Sequence, residues 1–548
     1  MKHTSNVLLI ILSFVLLSTG CKTTQSDNTP NDATHQATVS NNSTSNAQDI
    51  TFFKYSIKTD FDDVNKVDIL VHVHSPNDKE IRYDLDCNGD GVFEHTNLNS
   101  PEICSFKPYS GTHQIQLRGS IPGIILCTHS CKQHNCNFTD VTDRTPEISR
   151  SAVISVDDWG NNKWQTMHYF AAGCMELASI PDSAPDLSEV ADMSWMFTGA
   201  LVFNKPLNHW DVSHVTNMES LFLANEKFNQ PLDKWDVSHV TNMGGMFSGA
   251  DTFNQPLNNW DVSHVENMAG MFRDTLLFNQ PLDKWDVSNV KTMTTMFLRA
   301  KAFNQPLQEW NVSNVKDMRS MFEEASNFNQ PIENWDVSNV ILMDSMFAEA
   351  QSFNHPLEKW NVSNVKSMKA MFMEATNFNQ PLNEWDVSKV EIMDGMFWGT
   401  NAFNQPLDKW NVSNVRSMSA MFIETKSFNQ PLEKWNVSNV IDMSGMFAEA
   451  RSFNQPLNQW NVSSVRNMKY MFRSAPKFNQ PLDKWDVSKV CDMTEMFRDA
   501  KSFSHYPSKW VISKGYSDDM FLGTKVEETA RKKPLKSNVR FNCDEFLE

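Results

Sequence analysis

From Phe203 onward one pattern returns every 25 residues without slippage, and it leaves the chain few ways to fold. Phe203, Phe228, Phe253 and their copies to Phe503 mark one phase of the repeat, and Trp210, Trp235 and their copies to Trp510 mark another. The unit reads F-N-Q-P-L-x-x-W-[DN]-V-S-x-V-x-x-M-x-x-M-F-x-x-A-x-x. A fixed period of this length is the mark of stacked units. One unit has too few apolar side chains to offset the entropy of ordering its own backbone, so neighbours must bury one another's Phe and Trp. The composition fits such copying, with 37 Phe, 30 Met and 17 Trp beside only 7 Tyr.

Within a unit the spacing divides in two. Val240, Met243, Phe247 and Ala250 recur at three and four residues, which predicts one face of a short helix. Ser238 stands where an N-cap belongs. Phe228-Asn229-Gln230-Pro231-Leu232 contains Pro and reads as an extended arm or short strand. The expected fold is therefore an α/β repeat solenoid, leucine-rich-repeat-like, of short helix plus extended arm. Its structural core includes Phe203, Trp210, Met218, Phe222, Phe228, Trp235, Met243 and Phe247. Asn229 and its copies are expected to run a buried amide ladder between turns. The Met pairs could suggest soft-metal binding, but at helical spacing beside Phe and Trp they read as core filler. The first unit departs from the pattern by placing Asn225 where a small residue belongs.

The two ends of the chain differ from this array. Lys2 and His3 precede an apolar run from Val7 to Leu17, too short to span a bilayer as a helix. Leu17-Ser18-Thr19-Gly20-Cys21 follows and resembles a lipobox, which implies acylation of Cys21 and anchoring to a membrane. The lipobox usually has Leu three residues before the Cys, where this chain has Ser18. Residues 22–49 are polar and read as a tether. The expected organisation is a signal peptide at 1–20, lipidated cysteine and tether at 21–49, and a small β domain at 50–150. A cap with a partial repeat follows at 151–202, then twelve repeats at 203–502 and a degenerate repeat with C-terminal cap at 503–548.

In the β domain, Val67, Ile69, Val71 and Val73 alternate as a half-buried strand does. Tyr83 to Gly91, with Gly111 to Ile115, resembles a PKD-like immunoglobulin-type sandwich. Asp86, Asn88 and Asp90, with Glu94 beyond Gly91, offer alternate oxygen ligands suited to calcium, while the same residues favour a plain turn without metal. Removal of Cys21 leaves eight cysteines, which in an exported chain are expected to form disulfides. Cys87 and Cys104 flank one hairpin, and Cys127, Cys131 and Cys136 cluster with His129 and His134, with Cys174 further on. Zinc is the alternative for that cluster.

The repeat unit closely resembles the BspA-like leucine-rich-repeat surface proteins, also known as the mycoplasma-type lipoprotein repeat of unknown function. The lead-in Ala184-Pro185-Asp186-Leu187-Ser188 is similar to that family's as well. The resemblance implies an extracytoplasmic protein linked to adhesion, with no catalytic residues carried over. The net charge of −18 argues against nucleic acid. Function is thus expected to be non-enzymatic binding of an extracellular protein or glycan at the cell surface or outer membrane. A structural scaffold without a ligand is the alternative. No cofactor beyond calcium is expected. The variable positions, for example 208, 209, 216, 219, 220, 223 and 226, are expected to form the reading surface.

Overall fold

A computed structural model describes residues 52–59, 67–76, 81–127, 152–513, 517–538 and 543. The chain divides into residues 1–49 and 50–548, and every element below belongs to the second unit. Eight strands open it: β1 (Phe53–Lys58), β2 (Val67–His74), β3 (Arg82–Asp86), β4 (His95–Leu98), β5 (Glu102–Phe106), β6 (Thr112–Ser120), β7 (Gly123–Ile125) and β8 (Val153–Trp159). They form a five-stranded sheet, β4-β3-β6-β1-β8, and a three-stranded sheet, β5-β2-β7. Every pairing is antiparallel. Alternation decides the faces: Val67, Ile69, Val71 and Val73 of β2 are buried, and the residues between them are not.

Strand β8 carries the chain from this domain into the repeats. It pairs with β1, and its Ser155 also bridges in parallel to Ser179 of the first coil. Phe53 of β1 packs its ring edge-on to Trp164 at 5.3 Å. The two parts therefore share one continuous core.

The repeats stack coil upon coil, each bridging the next in parallel at one register, from Asp192↔Asn217 to Asn467↔Asp492. Rings stack along the same direction. Phe222 lies 4.0 Å from Phe228 of its own coil and 5.7 Å from Phe247 of the next, its ring nearly parallel to both. Trp285 and Trp310 stack at 6.4 Å and 4°. From Trp235 to Trp510 each indole N–H of the column donates to a carbonyl of the preceding coil, as Trp310 Nε1 does to Leu282 at 2.9 Å. The core residues Phe203, Trp210, Met218, Phe222, Phe228, Trp235, Met243 and Phe247 are all buried.

The helix-plus-strand leucine-rich-repeat solenoid expected from the sequence is overturned: the described repeats contain no helix. The one helix among the described residues is α1 (Glu527–Lys532), beyond the repeats. The backbone hydrogen bonds give the reason. In the second repeat, Met243, Gly245, Phe247 and Gly249 donate their N–H groups outward, to Asn267, Ala269, Met271 and Arg273 of the next coil at 2.7–3.0 Å. The residues between them turn inward: Met246 donates to Met243, Ser248 to Gly245 and Ala250 to Phe247, each three residues back. A helix would send all of these bonds four residues back. Consecutive turns with three-residue bonds place Met243, Met246, Phe247 and Ala250 in the core at much the same spacing as a helix face, which is why the periodicity misled.

The alternation requires left-handed backbone at two places per coil, seen as φ 54° at Ser345 and 56° at Glu349, and met by Gly at Gly245 and Gly249. Such conformations cost a non-glycine residue about 1 kcal/mol each. Each is compensated by an N–H donated to the next coil, Ser345 to Lys369 and Glu349 to Met373. Ser238 caps no helix either. Its N–H donates to Asp236 Oδ1 at 3.1 Å, closing an Asx turn that recurs in each repeat. The Asn column runs coil to coil, with Asn229 N–H donating to Asn204 Oδ1 and Asn254 N–H to Asn229 Oδ1, both at 3.0 Å. It lies at the half-exposed margin rather than in the interior.

The stack ends in a short parallel pair, β9 (Val511–Ser513) with β10 (Lys536–Asn538). Phe521 covers the last ring, Phe497, at 5.6 Å, and a disulfide joins Cys491 to Cys543.

Candidate functional site

Three places combine chemistry with access: the acidic loop after β3, a cleft between the β domain and the first coils, and the exposed columns of the stack. In the loop, carboxylate oxygens of Asp86, Asp90 and Glu94 lie within 4.8 Å of one another. Asp86 is buried and accepts N–H groups from Asn88, Gly89 and Gly91 at 2.6–3.1 Å. Asn88 Oδ1 accepts from Asp90 N, and Glu94 Oε2 from Cys87 N, both at 2.9 Å. Asx turns thus shape the loop and gather three acids at one point. Such a set suits a hard divalent cation, whose charge offsets their mutual repulsion.

Disulfides join Cys87 to Cys104 and Cys127 to Cys174. The second ties the β domain to the first coils. Cys21, Cys131, Cys136, His129 and His134 lie outside the described residues.

The cleft, of about 350 Å³, is lined by His74, Gln165, Thr166, His168, Glu189 and Asp192 among others. His72 and His74 leave β2 on one face, their rings 6.1 Å apart. Burial, then the neighbouring His72 and His168, push the His74 imidazole down to about 4, so it is neutral at pH 7. His168 Nδ1 instead meets Ser194 Oγ at 2.6 Å. No local sequence pattern joins the histidines of β2 to His168, which lies in a coil more than ninety residues later.

On the stack, nearly every variable side chain faces outward. Fourteen residues after each Trp runs a column that includes Asp274, Glu324, Glu349, Glu374, Glu424 and Glu449. Arg299 interrupts it and pairs with both Asp274 and Glu324. Burial, then Glu324 and Glu374 on either side, raise the Glu349 carboxyl above its ordinary range. Six residues after each Trp runs a different column, which carries Lys316, Ile341, Lys366, Arg416, Ile441 and Arg466. Of the variable positions singled out from sequence, 220 departs: Ser220 is buried and sits at one of the left-handed places.

The family described as Mycoplasma protein of unknown function, DUF285, matches residues 165–275, 255–357, 330–435 and 416–530. The chain belongs to this family. The overlapping matches run from the first coils into α1 and leave the β domain outside. No curated protein and no solved structure matches the chain. Family membership supports a repeat protein and carries no activity with it. No helix among the described residues is long and apolar enough to cross a membrane.

Proposed function

We propose that the chain is a surface-anchored, non-enzymatic binding protein that recognises an extracellular protein or glycan through the exposed columns of its stack. Its resemblance to BspA-like proteins and the PKD-like pattern of its β domain agree with an adhesive role, and acylation at Cys21 would hold it to the outer membrane or cell surface. One observation carries the reading: the buried positions repeat almost unchanged, while charge varies on exposed columns. Selection for stacking alone would leave no reason for ordered charge outside. The test is a glycan and protein array probed with residues 50–548, a compact unit by themselves. A reproducible ligand lost on deletion of repeats supports binding. No ligand, together with an envelope defect on gene deletion, supports the scaffold alternative.

A second reading concerns the acidic loop. The three gathered carboxylates favour calcium bound by Asp86, Asp90 and Glu94, with Asn88 close by. Calorimetric titration with calcium chloride should release heat that Asp90→Ala abolishes. No heat from the unaltered chain would remove the metal.

A further inference from the structure

The cleft between the β domain and the first coils holds two imidazoles with opposite hydrogen-bonding roles. Ser194 Oγ donates to Asp192 Oδ1 at 2.6 Å, and the same oxygen accepts from the Ser194 backbone N–H and the Asn217 amide at 2.9 and 3.1 Å. With its hydrogen given to Asp192, Ser194 Oγ is left to accept, so the His168 Nδ1 that meets it at 2.6 Å carries a proton. On the uncharged ring Nε2 is then a bare acceptor. His74 is the reverse case. No hydrogen bond reaches it among the described residues, and its Nδ1 is buried. Buried donors go unpaired more rarely than buried acceptors, so its proton belongs on Nε2, at the edge that borders the cleft. One wall thus offers a donor and another an acceptor.

Beside this pair stand two aromatic side chains that the stack does not require. Tyr169 and Trp195 are half-exposed, with rings 5.7 Å apart and tilted by 31°. The Tyr169 ring also meets that of His168 edge-on at 4.2 Å, so the aromatic pair adjoins the cleft through a shared residue. Both sit at left-handed backbone, φ 55° and 61°, which bulky residues rarely adopt. Their N–H groups donate to Ser194 O and Glu219 O, the same coil-to-coil bond that Ser220 and Gly245 make one and two coils later. Stacking is therefore satisfied by Ser or Gly at this place. Of the tryptophans, only Trp195 and Trp398 escape burial.

We infer that Tyr169, Trp195 and the adjoining cleft bind an uncharged sugar residue of an extracellular glycan. One face of a hexose ring is a row of C–H groups, whose slight positive charge suits the electron-rich face of an aromatic ring. Its rim carries hydroxyls, which both accept, as His74 Nε2 requires, and donate, as His168 Nε2 requires. The cleft, of about 350 Å³, falls in the range of about 300–1,000 Å³ that holds small ligands. Charge narrows the class. Glu189 and Asp192 line the cleft. Burial, then Glu219 and Asp192, raise the Tyr169 hydroxyl above its ordinary range, so a third carboxylate stands near. These acids repel sialic and uronic acids. A quaternary ammonium would suit the rings and the acids, but it has no acceptor for His74 and no donor for His168.

This site goes beyond the proposed role of the exposed columns, because it lies where the stack meets the β domain. The test uses the full chain and saturation-transfer NMR with the methyl glycosides of glucose, galactose, mannose and N-acetylglucosamine. At least one should receive saturation, strongest at its ring C–H protons. Trp195→Ser installs the residue that the next coil carries at Ser220, and should weaken binding at least about tenfold through loss of the stacked ring. His168→Phe keeps a ring against Tyr169 but removes the acceptor, and should weaken it by about tenfold as well. Trp398→Ser, at the other half-exposed tryptophan, should leave it unchanged. Unaltered thermal unfolding of the variants shows that they fold. Four results overturn the inference: no saturation of any of the four sugars, equal binding by Trp195→Ser, methyl glucuronide bound as tightly as methyl glucoside, or choline bound more tightly than every sugar. An array ligand lost on deletion of later repeats but indifferent to Trp195→Ser would keep the proposed function and sink this site.

Discussion

Asn225 offers a test of how the stack is held together. It occupies the place filled by Ala in most coils and is fully buried, yet neither its amide oxygen nor its amide nitrogen meets a hydrogen-bond partner among the described residues. Where Thr takes the same place, its hydroxyl finds an acceptor: Thr275 Oγ1 donates to Phe272 O at 2.5 Å and Thr425 Oγ1 to Phe422 O at 2.8 Å, while Thr400 Oγ1 donates to Phe372 O of the preceding coil at 2.6 Å. Leaving such an amide buried and unpaired costs about 1–3 kcal/mol. Asn225→Ala removes that cost and opens a small cavity worth about 1 kcal/mol against it. A net gain of about 1 kcal/mol is expected. Asn225→Thr keeps more of the volume and supplies a donor for the Phe222 carbonyl, so it should gain about 2 kcal/mol. Coils contact mainly their neighbours, so the gain should concentrate in the first repeats. Amide hydrogen exchange resolves this. The N–H groups of Phe222 and Phe247, which donate to Met246 and Met271, should exchange more slowly in both variants, and those near Phe447 should not change. Faster exchange at Phe222 in both would refute the reasoning, because it would mean that the amide is stabilising where it sits.

Trp310→Ala in mid-stack removes a buried ring stacked on Trp285 and Trp335, and the indole bond to Leu282; a loss of about 3–5 kcal/mol is expected in urea unfolding. For His74 the folded pKa lies below the unfolded one, so the unfolded chain takes up the proton first and stability falls as pH drops from about 6.5 toward 4. The loss is at most about 3 kcal/mol, and His74→Gln should flatten the profile measured between pH 7 and pH 4. The Cys127–Cys174 bond closes a loop with a sequence separation of 47, and Cys174→Ser should cost about 4 kcal/mol, read as earlier melting of the β domain and first coils. Cys21→Ala should release the protein from membranes into the soluble fraction; retention would end the lipoprotein proposal.

Much of the molecule was legible in the residues. The 25-residue period, the burial of each Phe, Trp and Met, and the alternating strand at Val67 to Val73 follow from which side chains must leave water, and that information is local. The direction of the backbone N–H groups was not. Apolar residues three and four apart are equally compatible with a helix and with chained three-residue turns. What separates the two is whether a neighbouring coil stands ready to accept the alternate N–H groups, as Asn267 and Met271 accept from Met243 and Phe247. That acceptor exists only once the coils have stacked. Likewise the sequence by itself determined that Arg416 and Arg466 lie two repeats apart at a variable position. Only the tertiary structure decided that these two side chains line one groove with Asn414, Asn439, Ile441 and Ser464, because which positions of successive repeats meet depends on how the coils stack.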